Sequence, residues 1–352
     1  MILVLIFPLL GDSDLVGEAM MKRLVINGPR KAEFEDLSIP TCHDDGLLIQ
    51  AEATAISTGT EIRAYKCISV DGKGELLYPN VPMSFPFENG YSMVGRVVEV
   101  GRLAEGFDKG DRVFVPEPHK EYTSVATRET LKLPESVLTE HAVFLSILGV
   151  GQLALRKGSP ELGQNIAVVG LGVIGLATVA LCQTFKFPVL GIDTDGHRLE
   201  LAGAMGIDVI SPEDSNFQRQ VLEWSGGRGA DLVIEAASTW HAVRTAMDVA
   251  REGGTIVVVS RHTDKPDFSP VNHPYFGKDL KLLTSYGYAD DRWDRMASMR
   301  LMLNMLETGD LAIGPMITHE FEWTEIPEVY HRLDEGDSEL LGVIIRWTEG
   351  QL

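Results

Sequence analysis

Residues 165–193, NIAVVGLGVIGLATVALCQTFKFPVLGID, decide the fold of this chain. An apolar strand pattern leads into Gly170-Leu171-Gly172-Val173-Ile174-Gly175, a helical pattern follows, and a second apolar strand closes on Asp193. A GxGxxG loop that follows a strand and opens a helix is typical of a dinucleotide-binding βαβ unit. The stretch therefore predicts a Rossmann domain.

Each position of the glycine loop has a physical task in such a unit. Gly170 permits the tight turn, Gly172 lets the backbone approach a pyrophosphate, and Gly175 allows the helix to pack closely on the strand. The backbone N–H groups of Val173 and Ile174, at the start of the helix, are free to bind phosphate oxygens. All five residues are predicted to bind the cofactor.

The acidic end of the second strand indicates which dinucleotide is bound. Asp193 lies eighteen residues beyond Gly175, where its carboxylate can accept hydrogen bonds from the adenosine ribose and repel a 2′-phosphate. NAD is therefore the predicted cofactor. Arg198, five residues later, is a further candidate; it would contact the adenosine, clamp a phosphate of NADP, or lie in solvent as an ordinary helix residue. Ser260, which ends the strand pattern GGTIVVVS, completes the predicted cofactor site.

Strand and helix patterns alternate through the rest of this region, which predicts a doubly wound parallel sheet over residues 156–288. The strand patterns are NIAVVG, FPVLGID, IDVIS, ADLVIEA, GGTIVVVS and LKLLTSYGY. Glycine-punctuated strand patterns before this region, and a last strand LLGVIIRW, predict a β-rich domain of residues 21–155 and 289–352 that brackets it. Residues 1–20 are interpreted as an N-terminal extension; a secretion signal is the alternative, but no basic residue precedes the short apolar run.

Composition excludes several classes of partner. The 352 residues carry a formal net charge of −20, which disfavours binding to nucleic acid. Cys42, Cys67 and Cys182 show no CxxC spacing, so neither a disulfide framework nor a clustered metal site is expected, and a reducing cytoplasm fits best. No apolar run is long enough to predict a membrane span.

From about Lys22 to Trp347 the sequence resembles the medium-chain dehydrogenase/reductase superfamily. Besides the glycine loop, the segments that carry the resemblance are YSMVGRVVEVG, GDRVFVP, GGRGADLVIEAA, REGGTIVVVS, ITHEFEWTEIPEVYHRLDEG and LLGVIIRW. The resemblance implies an α/β protein with a GroES-like catalytic domain, a Rossmann domain and the activity of a zinc-type alcohol or polyol dehydrogenase. It also implies a dimer or tetramer formed through the Rossmann sheet edge.

The positions that hold zinc in this superfamily carry other residues here. The cysteine of the family's Cys-Gly-Ser-Asp segment is replaced by Thr58, the histidine of its Gly-His-Glu segment by Tyr91, and the third ligand position falls near Ser146. Neutral hydroxyls are poor substitutes for thiolate and imidazole, so no catalytic zinc is predicted. The STGTE segment resembles a zinc-free branch that includes bacteriochlorophyllide-type hydroxyethyl dehydrogenases.

Without zinc, protein side chains must stabilise the reacting oxygen. The catalytic candidates are Tyr91 as donor or acid, Thr58 as an orienting hydroxyl, and Glu61 as part of a relay or as a base strengthened by burial. The alternatives are an aromatic residue that packs in the interdomain cleft, for Tyr91, and a loop-stabilising carboxylate, for Glu61. Ser57 and Ser146 are secondary candidates for the pocket lining.

These features predict zinc-independent, NAD(H)-dependent interconversion of a secondary alcohol and a ketone. The expected substrate is a polyol, a cyclitol, a sugar derivative or the hydroxyethyl side chain of a larger metabolite. Two alternatives remain open at this point: an NAD(P)H-dependent quinone or enoyl reductase, and a protein that binds NAD(H) without catalysis.

Overall fold

The computed structural model describes residues 19–67, 85–259, 262, 266, 268–269, 271–285 and 294–347. These residues form an antiparallel β-rich unit and a parallel α/β unit, as the sequence predicts. The first 18 residues of the predicted extension and Ser260 lie outside the described residues. Strand pairing begins at Met20, the last residue assigned to that extension.

The parallel unit has the strand order of a Rossmann fold. Its six strands are β9 (Ile166–Val169), β10 (Val189–Ile192), β11 (Asp208–Ile210), β12 (Ala230–Glu235), β13 (Ala250–Val258) and β14 (Lys281–Thr284). All neighbours are parallel, in the order β11-β10-β9-β12-β13-β14. Because helices cover both faces, the central strands β9 and β12 are buried along their whole length.

The chain order reverses between β9 and β12, and this switch point opens a crevice beyond the carboxyl ends of the two strands. The surrounding helices are α4 (Val173–Thr184), α5 (Gly196–Ala204), α6 (Phe217–Trp224), α7 (Trp240–Val249) and α8 (Arg295–Thr308). The glycine loop, which joins β9 to α4, lies at this crevice.

The β-rich unit contains two sheets. A three-stranded sheet consists of β1 (Met20–Gly28), β2 (Lys31–Ser38) and β4 (Phe87–Glu88). A seven-stranded sheet consists of β3 (Gly46–Ile56), β5 (Met93–Val100), β6 (Arg112–Val115), β7 (Tyr122–Ala126), β8 (Leu131–Lys132), β15 (Ile317–Glu322) and β16 (Gly342–Arg346). Its helices are α1 (Thr58–Lys66), α2 (Thr139–Ala142), α3 (Leu145–Gly158) and α9 (Ile326–Asp334).

The register of β3 against β5 positions the candidate catalytic residues. These strands are antiparallel, with Thr54 opposite Met93, and Ala55 donates its N–H to the carbonyl of Ser92 at 3.0 Å. The end of β3 therefore lies beside the start of β5. This register places Ser57, at the start of α1, next to Tyr91, although 34 residues separate them.

Two helices connect the units. The predicted division at residue 155 falls within α3, which packs against α4 and α8. Met299, Met302 and Leu303 of α8 join the same apolar core as the Rossmann strands. The division of the chain into domains stays a prediction: α3 spans its first boundary, and α8, from the residues assigned to the β-rich domain, packs in the core of the parallel sheet.

Candidate active site

The glycine loop has the geometry that a dinucleotide requires. Gly170 has φ +94°, a left-handed conformation that side chains disfavour, and a Cβ atom there would lie 2.6 Å from the backbone nitrogen of Ala237. At Gly175 a Cβ would lie 1.9 Å from the carbonyl oxygen of Gly170, because α4 packs directly on the turn. A Cβ at Gly172 would meet nothing within 4 Å. The open space beside Gly172 is where a pyrophosphate can approach the backbone.

A cleft of about 930 Å³ runs from the glycine loop to the start of α1 and β5. Of the residues predicted from sequence, it is lined by Thr58, Tyr91, Gly170, Gly172, Val173, Ile174 and Arg198. Further lining residues that the sequence did not single out include Gly59, Thr60, Arg63, Val150, Ser238, Ser285 and Arg295. Both predicted halves of the site therefore open into one cavity. Three predicted site residues do not line the cavity but lie behind the residues that do: Gly175, Asp193 and Glu61.

Asp193 closes β10 beside the glycine loop, and its carboxylate is already hydrogen-bonded to the backbone. One oxygen accepts the N–H of Leu171 at 2.7 Å and the other accepts the N–H of Asp195 at 2.9 Å. The Arg198 guanidinium approaches the same carboxylate to 3.8 Å. Each carboxylate oxygen can accept a further bond, so Asp193 can shape the loop and still bind a ribose.

The loop after β12 forms the opposite wall of the cofactor region and depends on a buried carboxylate. Oε1 of Glu235, which has no exposed surface, accepts the N–H groups of Ala237 at 2.8 Å and Ser238 at 2.9 Å. Its Oε2 lies 3.3 Å from Nε2 of His262. Ser238 adopts φ +64°, and Glu235 stabilises this turn. Glu235 was not predicted from the sequence, although a lone carboxylate at the end of an apolar strand pattern could have indicated it.

Tyr91 is the most distinctive side chain at the other end of the cleft. Its hydroxyl donates to Oγ of Ser57 at 2.5 Å, and its backbone carbonyl accepts a hydrogen bond from Ser146 Oγ at 2.7 Å. Burial raises the pKa of Tyr91 to about 12; the Ser57 hydrogen bond acts against this rise and the nearby Glu61 charge adds to it. Tyr91 therefore stays a neutral phenol, and a proton donor, throughout the neutral range.

Ser57 and Ser146 also have defined positions. Ser57 is buried and immediately precedes α1, and Ser146 reaches from α3 to hold the backbone at Tyr91. Thr58 begins α1 and lines the cleft. Among the residues that the structure describes, no group of three or more His, Cys, Asp or Glu side chains is arranged to hold a metal ion.

Glu61 lies behind Ser57 and Tyr91 in a buried polar cluster. Its Oε1 accepts the Ser57 N–H at 2.8 Å, and its Oε2 accepts hydrogen bonds from Tyr330 at 2.6 Å and His119 at 2.8 Å. The side chain is 1% exposed and does not line the cleft. This arrangement favours the loop-stabilising alternative over a base that meets the substrate directly.

Three members of the cluster were not predicted from sequence: Asn89, His119 and Tyr330. Asn89 donates to the Glu61 carbonyl at 3.1 Å and to the Tyr330 hydroxyl at 3.2 Å. Gly90, at φ +102°, packs so tightly on His119 that a Cβ would lie 2.7 Å from its ring. Tyr330 is 269 residues from Glu61, and no local pattern indicates such a pairing.

The fold and the open glycine loop of this cleft suit a dinucleotide-dependent dehydrogenase. A dinucleotide fits the cleft, because the glycine loop is open at Gly172 and the walls are already shaped by Asp193 and Glu235. In agreement, a family model described as "Zinc-binding dehydrogenase" matches residues 173–302. No helix among the described residues is long and apolar enough to cross a bilayer.

Relatives and solved structures support the same class. The chain is 24% identical to 2-dehydro-3-deoxy-L-galactonate 5-dehydrogenase of Pseudoalteromonas atlantica over 72% of this chain and 80% of that protein. It is 22% identical to sorbitol dehydrogenase of Mus musculus over 89% of this chain and 92% of that protein. Its fold is similar to that of an Escherichia coli oxidoreductase of unknown specificity, with a TM-score of 0.80, 19% identity and coverage of 94% and 100% of the two chains.

Other solved structures of the same fold contain dinucleotides. An Escherichia coli alcohol dehydrogenase with a TM-score of 0.77 and 18% identity was solved with NADH, and the alignment covers 93% of this chain and 99% of that one. A Sinorhizobium meliloti protein with a TM-score of 0.75 and 19% identity was solved with NADP, with coverage of 94% and 100%. Over most of its length the chain is therefore similar to alcohol, polyol and sugar-acid dehydrogenases, and its residues 173–302 match the zinc-binding dehydrogenase family model.

Proposed function

We propose that this enzyme interconverts a secondary alcohol and a ketone with NAD(H) and without zinc. The observation that carries this proposal is that Thr58 and Tyr91, at the positions of two lost zinc ligands, line the same cleft as the glycine loop. A polyol, a cyclitol or a sugar-derived alcohol is the proposed substrate class. The hydroxyethyl side chain of a larger metabolite, as in the bacteriochlorophyllide-type branch, is a narrower form of the same proposal.

The bound dinucleotide would supply the hydride in ketone reduction and accept it in alcohol oxidation. Tyr91 donates a proton to the carbonyl oxygen as that oxygen becomes an alkoxide, which is more basic than a phenolate. Ser57, whose Oγ accepts a hydrogen bond from the Tyr91 hydroxyl in the free enzyme, orients the phenol. Thr58 supplies a second hydroxyl to the same oxygen, so that neutral donors perform the stabilisation that zinc performs elsewhere in the superfamily.

The preference for NAD over NADP rests on Asp193. Its carboxylate, with Arg198 nearby, faces the region where the adenosine ribose of a Rossmann-bound dinucleotide lies. A negative charge there accepts hydrogen bonds from the ribose hydroxyls and repels a 2′-phosphate. Gly170, Gly172 and the N–H groups of Val173 and Ile174 are the proposed pyrophosphate contacts.

The enzyme is also proposed to form a homodimer or homotetramer through the edge strand β14. Leu283 on this strand is an exposed apolar residue, as are Val271 and Phe276 in the segment that precedes the strand. Light scattering on the purified protein measures the subunit number directly. A monomer at all concentrations would contradict this part of the proposal.

Metal analysis of the purified protein, paired with fluorescence titrations of NADH and NADPH, is the first test. We expect no stoichiometric zinc, tighter binding of NADH, and reduction of ketones from the polyol and cyclitol classes that is lost in Tyr91→Phe. Stoichiometric zinc in the active protein would contradict the mechanism. Reduction of quinones or enones alone would replace the proposed reaction, and cofactor binding with no turnover of any substrate would indicate a non-catalytic role.

A further inference from the structure

The polar cluster behind Tyr91 extends along hydrogen bonds from Trp347 through Thr54 and His119 to Glu61. It begins at Trp347, whose Nε1–H can only donate and lies 3.1 Å from Oγ1 of Thr54. Thr54 Oγ1 lies 2.7 Å from Nδ1 of His119, and Nε2 of His119 lies 2.8 Å from Oε2 of Glu61. If Thr54 accepts from Trp347, its own proton is available to Nδ1. His119 is then a neutral imidazole that carries its proton on Nε2 and donates it to Glu61.

In the second branch of the cluster, the hydrogen bonds also lead towards Glu61. Asn89 Nδ2 donates to the Tyr330 hydroxyl, and Tyr330 donates to Glu61 Oε2 at 2.6 Å. With the Ser57 N–H on Oε1, the carboxylate of Glu61 accepts three hydrogen bonds, as an ionised carboxylate does. The donors on every side therefore converge on one anion.

This anion is buried without a basic partner. In the described part of the chain, no lysine or arginine side chain forms an ion pair with Glu61. Its two titratable donors are the Tyr330 phenol and His119, which is neutral when its Nδ1 accepts from Thr54. The titratable groups that face the cluster are Tyr65, Tyr91, His119 and Tyr330, and those on the cleft side of Tyr91 are Arg63, Arg198, Arg295 and Asp337. A charge buried in this way acts strongly on its neighbours, because the surroundings screen it poorly.

We propose that Glu61 is a positioning residue whose buried negative charge keeps Tyr91 in its proton-donating form, with His119, Tyr330 and Asn89 maintaining that charge. The inference rests on the proposed function of Tyr91 as the proton donor. Two contacts support it: Oε1 of Glu61 fixes the backbone of Ser57, whose Oγ accepts a hydrogen bond from Tyr91, and Asn89, two residues before Tyr91, donates to the Glu61 carbonyl. The Glu61 charge also contributes to the raised pKa of Tyr91.

The test separates the charge of Glu61 from its shape. The ionisation of Tyr91 is followed by ultraviolet absorbance in alkaline titrations, as the difference between each protein and its Tyr91→Phe counterpart. We expect Tyr91 to ionise at lower pH in Glu61→Gln than in the unsubstituted protein, and the alkaline fall in the rate of ketone reduction to shift in the same direction. Glu61→Asp retains the charge but shortens the side chain, so kcat falls while Tyr91 ionises at an unchanged pH.

Tyr65→Phe is the matched control, because the Tyr65 ring lies 5.4 Å from that of Tyr330 in the same core but makes no contact with the Glu61 carboxylate. This variant should leave both readouts unchanged. Folded Glu61→Gln in which Tyr91 titrates as in the unsubstituted protein would overturn the proposal, whether or not a substrate is known. Failure of the proposed function, by contrast, would appear as absence of turnover with the Tyr91 shift intact.

A measurement on the unsubstituted protein covers the case in which Glu61→Gln does not fold. Nitrogen-15 NMR of labelled histidines distinguishes a neutral Nε2–H imidazole from an imidazolium, with His119→Gln used for assignment. We expect His119 to be neutral with its proton on Nε2 at pH 7. An imidazolium at that pH would cancel the charge of Glu61 and overturn the proposal.

Discussion

The two ends of the cleft are built in different ways. The cofactor end is made of backbone: open space at Gly172, a left-handed turn at Gly170, and N–H groups at the start of α4. The Tyr91 end is made of side chains whose positions depend on a buried hydrogen-bonded cluster drawn from distant parts of the chain. The backbone end is a general site for a dinucleotide, whereas the side-chain end is specific to this chain's chemistry.

The difference predicts how each end fails. A backbone cradle is disrupted by added atoms and is insensitive to the removal of a distant side chain. A side-chain cluster is disrupted when one hydrogen-bond partner is removed, because the remaining buried partner is left unsatisfied. Substitutions at the two ends should therefore separate cofactor binding from catalysis.

The largest effect is expected at Tyr91. Tyr91→Phe should lower kcat for ketone reduction by about 10²- to 10⁴-fold, the usual contribution of a positioned general acid, without weakening NADH binding. Because the pKa of Tyr91 is raised to about 12, the phenol stays protonated as the pH rises through the neutral and mildly alkaline range. The ratio of kcat in the unsubstituted enzyme to kcat in Tyr91→Phe should therefore be constant over that pH range in steady-state assays. Full activity in Tyr91→Phe would assign the proton donor elsewhere.

The buried cluster should show its effect in stability. Tyr330→Phe removes a donor from Glu61 and leaves Asn89 with one acceptor fewer, which should cost about 1–3 kcal/mol of unfolding free energy in urea titrations. Tyr65→Phe removes a hydroxyl from the same core, but that hydroxyl has no hydrogen-bond partner in the cluster. This variant should therefore lose less unfolding free energy. Equal losses in the two variants would mean that the Tyr330 hydroxyl adds no specific stability.

Two glycines of the loop provide an internal comparison at the cofactor end. Gly172→Ala places a methyl group in open space, so the melting temperature should not change, but the added atoms obstruct the pyrophosphate and should weaken NADH binding by about tenfold, or ~1.4 kcal/mol. Gly175→Ala brings a Cβ to 1.9 Å from the Gly170 carbonyl and should lower both stability and binding. Calorimetry with and without NADH measures both quantities. If Gly172→Ala binds NADH normally, the pyrophosphate lies elsewhere.

The smallest effect is expected for the choice of dinucleotide. Asp193→Asn keeps one acceptor for the loop N–H groups but removes the charge, and should strengthen NADPH binding by roughly fivefold while NADH binding changes less. Arg198→Gln in the same background should reverse the gain, because a 2′-phosphate would lose its nearby cation. Fluorescence titrations measure both changes. An unaltered NADPH affinity in Asp193→Asn would remove Asp193 as the basis of selectivity.

The sequence alone predicted the elements whose patterns are local. The parallel sheet and the glycine loop follow from short-range alternation and from the spacing of Gly170, Gly172 and Gly175, because a tight turn, a close approach and a helix start all involve neighbouring residues. The pairing of Tyr91 with the start of α1 was predicted only through the family resemblance, and the register of β3 against β5 gives its physical basis. That Thr58, Tyr91 and Ser146 occupy the zinc-ligand positions stays a prediction from the same resemblance.

Tertiary structure alone decided the environment of those positions. Glu61 was a candidate base by sequence, and it is placed behind the cleft wall with three donors on its carboxylate. His119 lies 58 residues from Glu61 in the sequence, yet it is an interior partner of Glu61. The reason is physical: hydrogen bonds between residues 58 to 269 positions apart depend on how two sheets and α9 pack together. A local sequence pattern does not indicate that packing.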